Sequence, residues 1–379
     1  MSIYKEFNIQ PIINASGSYT MLGGSKMSKQ TLMDMESASE NFVQIKELQD
    51  KVYEEIARMT KNESACITNG ATAGLYLSVA AAVQRKYNKR FYYLTKEEIS
   101  KCNVVMFKAH RNPYDLVISQ LGLKYKEIAF PNIMLPPTKE DLQEAIDENT
   151  VAFLYVDTGW TPEGDMPLED IIEIKRQKEI PVIVDAAAQL PPVENLWRFS
   201  EIGADVTVFS GGKDLKGPQS SGLMVGNNEF MSIVKSLSFP TYGIGRMLKV
   251  GREELVGLYS AIKQYINMDH DKRYDWCENE INKLEKSFYN HPLFEVKRSF
   301  PNEAGQPIAR AHVRIKNEKI LFSDIQKYMI QGNVSVYIMS EEPGSFYINP
   351  MTLYDEEMDK IIDKLKRFKI YNISDRNIK

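Results

Sequence analysis

The chain has 379 residues, with 43% hydrophobic and 26% charged side chains and a formal net charge of −4. The length suits a large domain with a smaller one, and the composition is that of an ordinary globular protein. The charge shows no basic excess of the kind that nucleic-acid-binding proteins usually carry. No apolar run reaches the roughly 18 residues that a membrane span needs.

The first stretch of the chain, residues 1–29, is rich in Gly, Ser and Asn and predicts an irregular arm. Residues 1–10 lack the basic and apolar regions of a signal peptide, so we expect a cytoplasmic protein. Apolar residues at helical spacing then predict a helix over 45–59. A short apolar run at 64–68 predicts a strand, and the small residues of 71–84 predict a helix directly after it.

Short apolar strands alternate with helices over the next part of the chain. The strand candidates are residues 104–107, 152–156, 181–185 and 205–209, with helical patterns at 168–177 and 196–201. Such strands, apolar at successive positions and separated by helices, indicate a mostly parallel sheet covered on both faces.

The pattern changes after about residue 245. A long amphipathic helix is predicted from 253 to 289, and short strands and helices follow it. We therefore expect an N-terminal arm at 1–44, a large domain at 45–250, and a linking helix with a smaller α+β domain at 251–379.

The three cysteines, Cys66, Cys102 and Cys277, lie far apart, and no CxxC pair exists. The four histidines are dispersed as well, without an HxH or HxxxH pair. We expect buried, reduced cysteines and no metal site.

Ligands of open parallel sheets bind at the C-terminal ends of the strands, so the residues after each strand are the first candidates for a site. The turn Gly70-Ala71-Thr72 joins a strand to a helix, where free N–H groups suit a phosphate. A packing role for these small residues is the alternative. His110 follows the next strand, and its flat ring suits stacking on a flat cofactor. A surface or capping histidine is the alternative there.

Asp185 ends its strand and is followed by three alanines. A carboxylate in that place needs a partner such as a protonated pyridine nitrogen, or it caps a helix. Lys213 follows 28 residues later (213 − 185) in the loop Ser210-Gly211-Gly212-Lys213. A lysine amine held near a carbonyl is a Schiff-base nucleophile, and the paired glycines allow a tight turn around a cofactor. A solvated surface lysine is the alternative.

Two other known motifs that contain a lysine do not match this segment. The β-lactamase pattern S-x-x-K fits Ser210 and Lys213, but its companion K-T-G is absent. A Walker A loop needs Gly six residues before the lysine and Ser or Thr after it, where this chain has Thr207 and Asp214.

The segment 209–222, FSGGKDLKGPQSSG, resembles the lysine segment of the SelA-like family of pyridoxal phosphate (PLP) enzymes. Further segments agree: 13–17, 68–75, 109–114, 156–162 and 245–250. The resemblance covers most of the chain. It implies the α/β fold of aspartate aminotransferase, PLP fold type I, with a mostly parallel central sheet and a smaller α+β C-terminal domain.

The resemblance also implies roles for individual residues. Lys213 holds PLP as a Schiff base and acts as acid and base at the substrate Cα. Asp185 pairs with the pyridine nitrogen, and His110 stacks on the ring. The phosphate is held by Gly70, Ala71, Thr72 and Ser210. The residues expected near the ring 3′-oxygen are Asp157 and Gln189. Those expected to contact substrate are Ser16, Arg111, Arg246 and Lys249.

Within this family the chain looks closer to the D-glucosaminate-6-phosphate ammonia-lyase branch than to the selenium transferases, because it lacks their N-terminal tRNA-binding extension and a basic excess. We expect an ammonia-eliminating lyase acting on a small amino acid or a phosphorylated amino sugar acid, as a homo-oligomer with shared sites and without nucleic acid. The alternatives are a tRNA-dependent transferase, and a PLP aminotransferase or racemase. A non-catalytic PLP-binding protein is a further alternative.

Overall fold

A computed structural model of the protein describes residues 3–130, 135–159 and 164–369. The chain divides into two compact units. The larger unit consists of Ser25–Met268 with Glu303–Gly305, and the smaller unit contains the rest of the described chain. The domain boundaries predicted at residues 44 and 250 remain a prediction.

The strands are numbered in chain order. They are β1 (Ile13–Asn14), β2 (Ser64–Thr68), β3 (Asn103–Phe107), β4 (Lys124–Ile128), β5 (Thr150–Val156), β6 (Val182–Asp185), β7 (Val206–Ser210), β8 (Gly222–Gly226), β9 (Phe294–Ser299), β10 (Arg310–Ile315), β11 (Val336–Tyr337) and β12 (Ser345–Ile348).

The α-helices are numbered in the same way. They are α1 (Lys29–Ser39), α2 (Ile45–Met59), α3 (Ala71–Tyr87), α4 (Lys96–Lys101), α5 (Leu116–Gln120), α6 (Lys139–Ala145), α7 (Leu168–Lys178), α8 (Asn195–Ile202), α9 (Asn228–Leu237), α10 (Arg252–Ile266), α11 (His270–Ser287), α12 (Phe322–Ile330) and α13 (Glu357–Lys366). None of the helices in the described residues is both long enough and apolar enough to cross a bilayer.

The larger unit is built on a seven-stranded sheet in the order β2-β8-β7-β6-β5-β3-β4. All of its pairings are parallel except those of β8, which runs antiparallel to β2 and β7. Strands β3, β5 and β6 are buried at every residue because helices cover the sheet. This confirms the predicted α/β fold with a mostly parallel central sheet.

Helix α3 packs across this sheet, and its small residues allow the close approach. A methyl group added at Gly74 would lie 2.8 Å from Cγ1 of Val208 on β7. The predicted strands agree with the structure to within two residues at each end, and the helix at 45–59 matches α2. The elements that were not predicted are strands β1, β4, β8 and β12 and helices α1, α4, α5, α6 and α9.

The predicted long helix from 253 to 289 was wrong. Two helices, α10 and α11, occupy this stretch. The chain leaves the helical path at Asn267, and the Asp269 side chain accepts a hydrogen bond from the backbone N–H of Lys272 to start the second helix. Apolar spacing continues across the break, which is why the sequence suggested one helix.

The smaller unit contains an antiparallel sheet in the order β12-β10-β9, and a parallel pair of β1 with β11. Helices α11 and α13 contribute buried residues to its core, among them Ile281, Leu284, Ile361 and Leu365, together with Phe294 and Phe346 of the sheet. The predicted α+β character of this part of the chain is confirmed.

Candidate active site at the carboxyl ends of the strands

Asp185 and Lys213 follow two neighbouring parallel strands. Asp185 is the last residue of β6, which pairs with β7, and Lys213 lies three residues after the end of β7. The side chains at this edge of the sheet therefore come from elements that are far apart in the chain, as expected for an open parallel sheet.

The Asp185 side chain is buried, with 6% of the residue exposed. Its Oδ1 accepts a hydrogen bond from the backbone N–H of Ala187 at 3.0 Å, whereas Oδ2 has no hydrogen-bond donor among the described residues. Burial raises the pKa of Asp185, and the Ala187 hydrogen bond and the charge of Lys213 oppose that rise. The second oxygen is thus open to a cationic donor.

Burial lowers the pKa of the Lys213 amine, although the charges of Asp185 and Glu303 act against that change. The amine makes no hydrogen bond with any of the described residues. Desolvation disfavours the ammonium form, so a larger fraction of Lys213 is the neutral, nucleophilic amine than for a surface lysine.

The glycines before Lys213 allow close packing within the protein. A methyl group at Gly211 would lie 2.1 Å from Oγ of Ser221, and one at Gly212 would lie 2.5 Å from Oε1 of Gln219. The chain returning from Lys213 towards β8 therefore runs directly against these glycines. The sequence had suggested a turn around a cofactor, and the structure gives a packing reason instead.

The N-terminus of α3 lies beside the start of β8. A methyl group at Gly222 would come within 2.5 Å of the Gly70 carbonyl carbon, so Gly222 lets the turn approach the sheet. The N-cap Gly70 supplies no side-chain hydrogen bond, and the first helical N–H bonded to a carbonyl is that of Gly74. The N–H groups of Ala71 and Thr72 are therefore available to an anion. The Ser210 hydroxyl has no hydrogen-bond partner among the described residues.

His110 is fully buried, and hydrogen bonds at both nitrogens hold its ring. Nδ1 accepts from the backbone N–H of Val156 at 3.1 Å, so the ring proton is on Nε2, which donates to Oδ2 of Asp165 at 2.9 Å. The rings of Phe107 and Tyr155 contact it edge-on. Sequence reasoning missed Asp165, because a carboxylate 55 residues from its partner leaves no local signal.

Asp157 directly follows β5, next to Asp185. Burial raises the pKa of its carboxyl to about 6. Gln189 is close by, but its Nε2 already donates to two backbone carbonyls, those of Asp157 at 3.0 Å and Ala304 at 2.9 Å. In this geometry Gln189 ties two segments together and has no amide proton left for another acceptor.

The four residues expected to contact substrate have different surroundings. Ser16 lies in the smaller unit, where its hydroxyl donates to the Tyr337 carbonyl. Arg111 bonds the carboxylates of Asp115 and Glu127, so its guanidinium is already neutralised. Arg246 and Lys249 are exposed, and neither forms an ion pair with any described carboxylate.

These features fit a cofactor with a cationic ring nitrogen, a carbonyl carbon and a phosphate. The unpaired oxygen of buried Asp185 matches the first group, the desolvated Lys213 amine the second, and the N-terminus of α3 with the Ser210 hydroxyl the third. Within the described residues, no cluster of His, Cys, Asp and Glu side chains could hold a metal ion.

Comparison with known proteins agrees with this geometry. Over 376 residues the chain is 27% identical to D-glucosaminate-6-phosphate ammonia lyase of Salmonella typhimurium, covering 96% of this chain and 97% of the relative. A 5'-C-glycyluridine monooxygenase-decarboxylase of Streptomyces is 25% identical, with coverages of 96% and 91%. L-seryl-tRNA(Sec) selenium transferase of Nitratidesulfovibrio vulgaris is 30% identical over 189 residues, covering 46% of this chain and 36% of that protein.

Solved structures also show similarity to an ammonia-lyase. A structure of D-glucosaminate-6-phosphate ammonia-lyase has a TM-score of 0.79 and 26% identity, covering 96% of this chain and 97% of that chain. A NifS-like protein, with a TM-score of 0.61, 16% identity and coverages of 94% and 98%, shares the fold. The family model described as SelA, L-seryl-tRNA selenium transferase, matches residues 24–276. The chain therefore belongs to the SelA family of PLP-dependent enzymes and has the fold of PLP fold type I.

Proposed function

We propose that this enzyme binds PLP at Lys213 and removes ammonia from a small amino acid or a phosphorylated amino sugar acid such as D-glucosaminate 6-phosphate. The product is a keto acid. We further propose that it acts in the cytoplasm as a homo-oligomer.

The proposal depends on one observation: Asp185 ends strand β6, and Lys213 follows the neighbouring strand β7. A buried carboxylate with one unpaired oxygen supports a cationic ring nitrogen, and a desolvated amine nearby supports attachment at the carbonyl carbon. Ser210 and the free N–H groups of Ala71 and Thr72 would hold the phosphate. When bound, PLP supplies an electron sink next to the substrate Cα.

The protein residues then move the protons. With PLP and substrate bound, the neutral Lys213 amine would accept the proton from Cα, while the electron pair of the broken C–H bond stays with the substrate. The Lys213 ammonium returns this proton to the departing β-hydroxyl, which leaves as water. The released enamine takes up water and gives the keto acid and ammonia, so no oxidant is needed.

Two observations support the substrate class: a relative that matches from end to end, and two exposed cations, Arg246 and Lys249, that form no ion pair with a described carboxylate. The ammonia lyase of Salmonella typhimurium matches this chain over almost the whole length of both proteins, and its name gives a phosphorylated amino sugar acid as its substrate. A second anion site would need cations that no described carboxylate neutralises. Arg246 and Lys249 meet this condition, but Arg111 does not, because Asp115 and Glu127 neutralise it. We therefore favour Arg246 and Lys249 as the substrate-phosphate residues.

The cofactor is tested directly by reduction and peptide mapping. Borohydride treatment of the purified protein should add the mass of reduced PLP to the peptide containing Lys213, and the visible absorbance of the linked cofactor should disappear. Lys213→Ala should show neither signal, while Lys216→Ala, in the same loop, should show both. Label on a different lysine in the unchanged protein would disprove the assignment.

The reaction is tested with a panel of hydroxylated amino acids and phosphorylated amino sugar acids, assayed for ammonia and keto acid. Equal amounts of both products, released without oxygen, support the lyase. Turnover that stops when oxygen is removed would point instead to chemistry like that of the Streptomyces relative.

The alternative functions predict different experimental results. The partial similarity to selenium transferases supports a transferase acting on charged tRNA as an alternative. Such an enzyme should bind tRNA with a steep salt dependence. An aminotransferase predicts pyridoxamine phosphate after substrate is added in the absence of a keto acid, and a racemase predicts inversion at Cα without release of ammonia.

A further inference from the structure

A three-residue segment late in the chain, Glu303–Gly305, belongs to the larger unit, although the residues on both sides of it belong to the smaller one. We call it the tip segment. The Ala304 carbonyl accepts a hydrogen bond from Nε2 of Gln189 at 2.9 Å. A methyl group at Gly159 would lie 2.7 Å from Cα of Gly305, so the two backbones are in direct contact. The tip segment is thus fixed at two points.

A chain of hydrogen bonds joins the tip segment to the site. The same Nε2 of Gln189 donates to the Asp157 carbonyl at 3.0 Å. The backbone N–H of Asp157 in turn donates to the Asp185 carbonyl, also at 3.0 Å. The tip segment therefore lies at the carboxyl edge of the sheet, where Asp185 and Lys213 are found.

Two carboxylates act on the Lys213 amine, Asp185 at the end of β6 and Glu303 on the tip segment. Burial lowers the pKa of this amine, and the charges of both carboxylates raise it. The other titratable groups at this edge are His110 after β3 and Asp157 after β5, and the charge of Asp185 acts on Asp157. Under the proposed function Asp185 is paired with the ring nitrogen, which leaves Glu303 as the second carboxylate whose charge favours the Lys213 ammonium.

We propose that Glu303 is a positioning residue whose carboxylate balances the charge of the Lys213 ammonium while Lys213 carries the proton taken from the substrate. Lys213 does not pass the proton to Glu303, and no bond to Glu303 forms. The proposal rests on the proposed role of Lys213 as the base. The charge state of Lys213 would then depend on Glu303 of the tip segment, which lies 90 positions later in the chain (303 − 213).

The test measures Lys213 itself and does not require turnover. The full-length protein without cofactor is labelled with a trace of acetic anhydride over a range of pH, and the peptide containing Lys213 is quantified by mass spectrometry. The midpoint of this labelling curve reports the ammonium–amine equilibrium. We expect Glu303→Gln to move the midpoint down by about one pH unit, because an opposite charge that favoured the ammonium is gone.

The matched control is Glu36→Gln on the exposed face of α1, which removes the same charge elsewhere and should leave the midpoint unchanged. Glu303→Asp should restore part of the shift, and Glu303→Ser serves as a second neutral variant. Equal midpoints for Glu303→Gln and Glu36→Gln would overturn the proposal even if the enzyme is an active lyase. A shifted midpoint in a protein that releases no ammonia would instead refute the proposed function and leave the interaction standing.

In the loaded enzyme, Glu303→Gln should lower kcat at least tenfold with little change in KM and with full retention of the cofactor. Loss of cofactor or a rise in KM without a fall in kcat would contradict a role at Lys213.

Discussion

At the scale of single residues, the candidate site contains two buried ionisable side chains, Asp185 and Lys213, whose pKa values burial shifts in opposite directions. Asp185 and Lys213 were identifiable from the sequence because each directly follows an apolar strand, and strand ends gather at one edge of a parallel sheet. Asp165 and Glu303 were not identifiable. Each reaches the site through contacts between segments that are distant in sequence, which single-chain patterns do not encode.

The bond between His110 and Asp165 predicts one fixed ring tautomer. Asp165→Asn keeps an acceptor for the Nε2–H, so His110 should remain protonated at Nε2 only. Asp165→Leu removes the acceptor and leaves a buried donor unpaired, at a cost of about 1–3 kcal/mol of unfolding free energy. Nitrogen-15 NMR of labelled histidines reports the tautomer. A ring protonated at Nδ1 in the unchanged protein would contradict the bond from Val156.

The raised pKa of Asp157 predicts a pH-dependent gain in stability for Asp157→Asn. The pKa is about 6 in the folded chain and 3.8 as the ordinary value, so folding favours the protonated carboxyl. The contribution of this group to stability is complete below pH 3.8 and is lost as the pH rises through about 6. In cofactor-free protein at alkaline pH, the unfolding free energy of Asp157→Asn, measured with urea, should therefore exceed that of the unchanged chain by about 3 kcal/mol.

The same comparison at acidic pH should show almost no difference between Asp157→Asn and the unchanged chain. Asp271→Asn, at an exposed position of α11, serves as the control and should have the same effect at both pH values. A constant gain for Asp157→Asn across the range would exclude ionisation as its cause.

At the scale of elements, the loop between β7 and β8 combines a desolvated lysine with tight packing. Gly211→Ala would bring a methyl group within 2.1 Å of Ser221 Oγ and 2.8 Å of Leu258 Cδ1, so the loop must move. We expect a loss of about 1–3 kcal/mol and weaker PLP retention. Gly243→Ala is the matched control, because no atom lies within 4 Å of the added methyl. Equal melting temperatures for the two variants would contradict this packing.

The elements that the sequence predicted are those with a strong local signal. Strands β2 and β5 are continuous apolar runs, and α2 has apolar residues at helical spacing. Strand β4 was missed because four of its five residues are partly or fully exposed, and three of these are charged. Strand β8 contains two glycines and follows the lysine loop, so its sequence did not stand out from the loop. The break between α10 and α11 depends on the Asp269 cap, which an amphipathic pattern alone does not reveal.

At the scale of the whole molecule, cofactor binding should stabilise the larger unit by mass action. Free PLP at about one hundred times its dissociation constant would add about 2.7 kcal/mol to the unfolding free energy of a protein that binds it only when folded. Calorimetry should show an upward shift of the transition with added PLP, and a much smaller shift in Lys213→Ala. An equal shift in both would mean that Lys213 does not hold the cofactor.

The discontinuity of both units has a consequence for synthesis on the ribosome. The larger unit lacks its tip segment until residue 305 has left the exit tunnel, and the smaller unit cannot pair β1 with β11 until residue 337 has done so. Most of the central sheet can form earlier, because its last strand ends at Gly226. A nascent chain stalled before residue 303 would therefore expose a nearly complete sheet carrying a reactive lysine without Glu303. The order of synthesis thus separates formation of the central sheet from completion of both units.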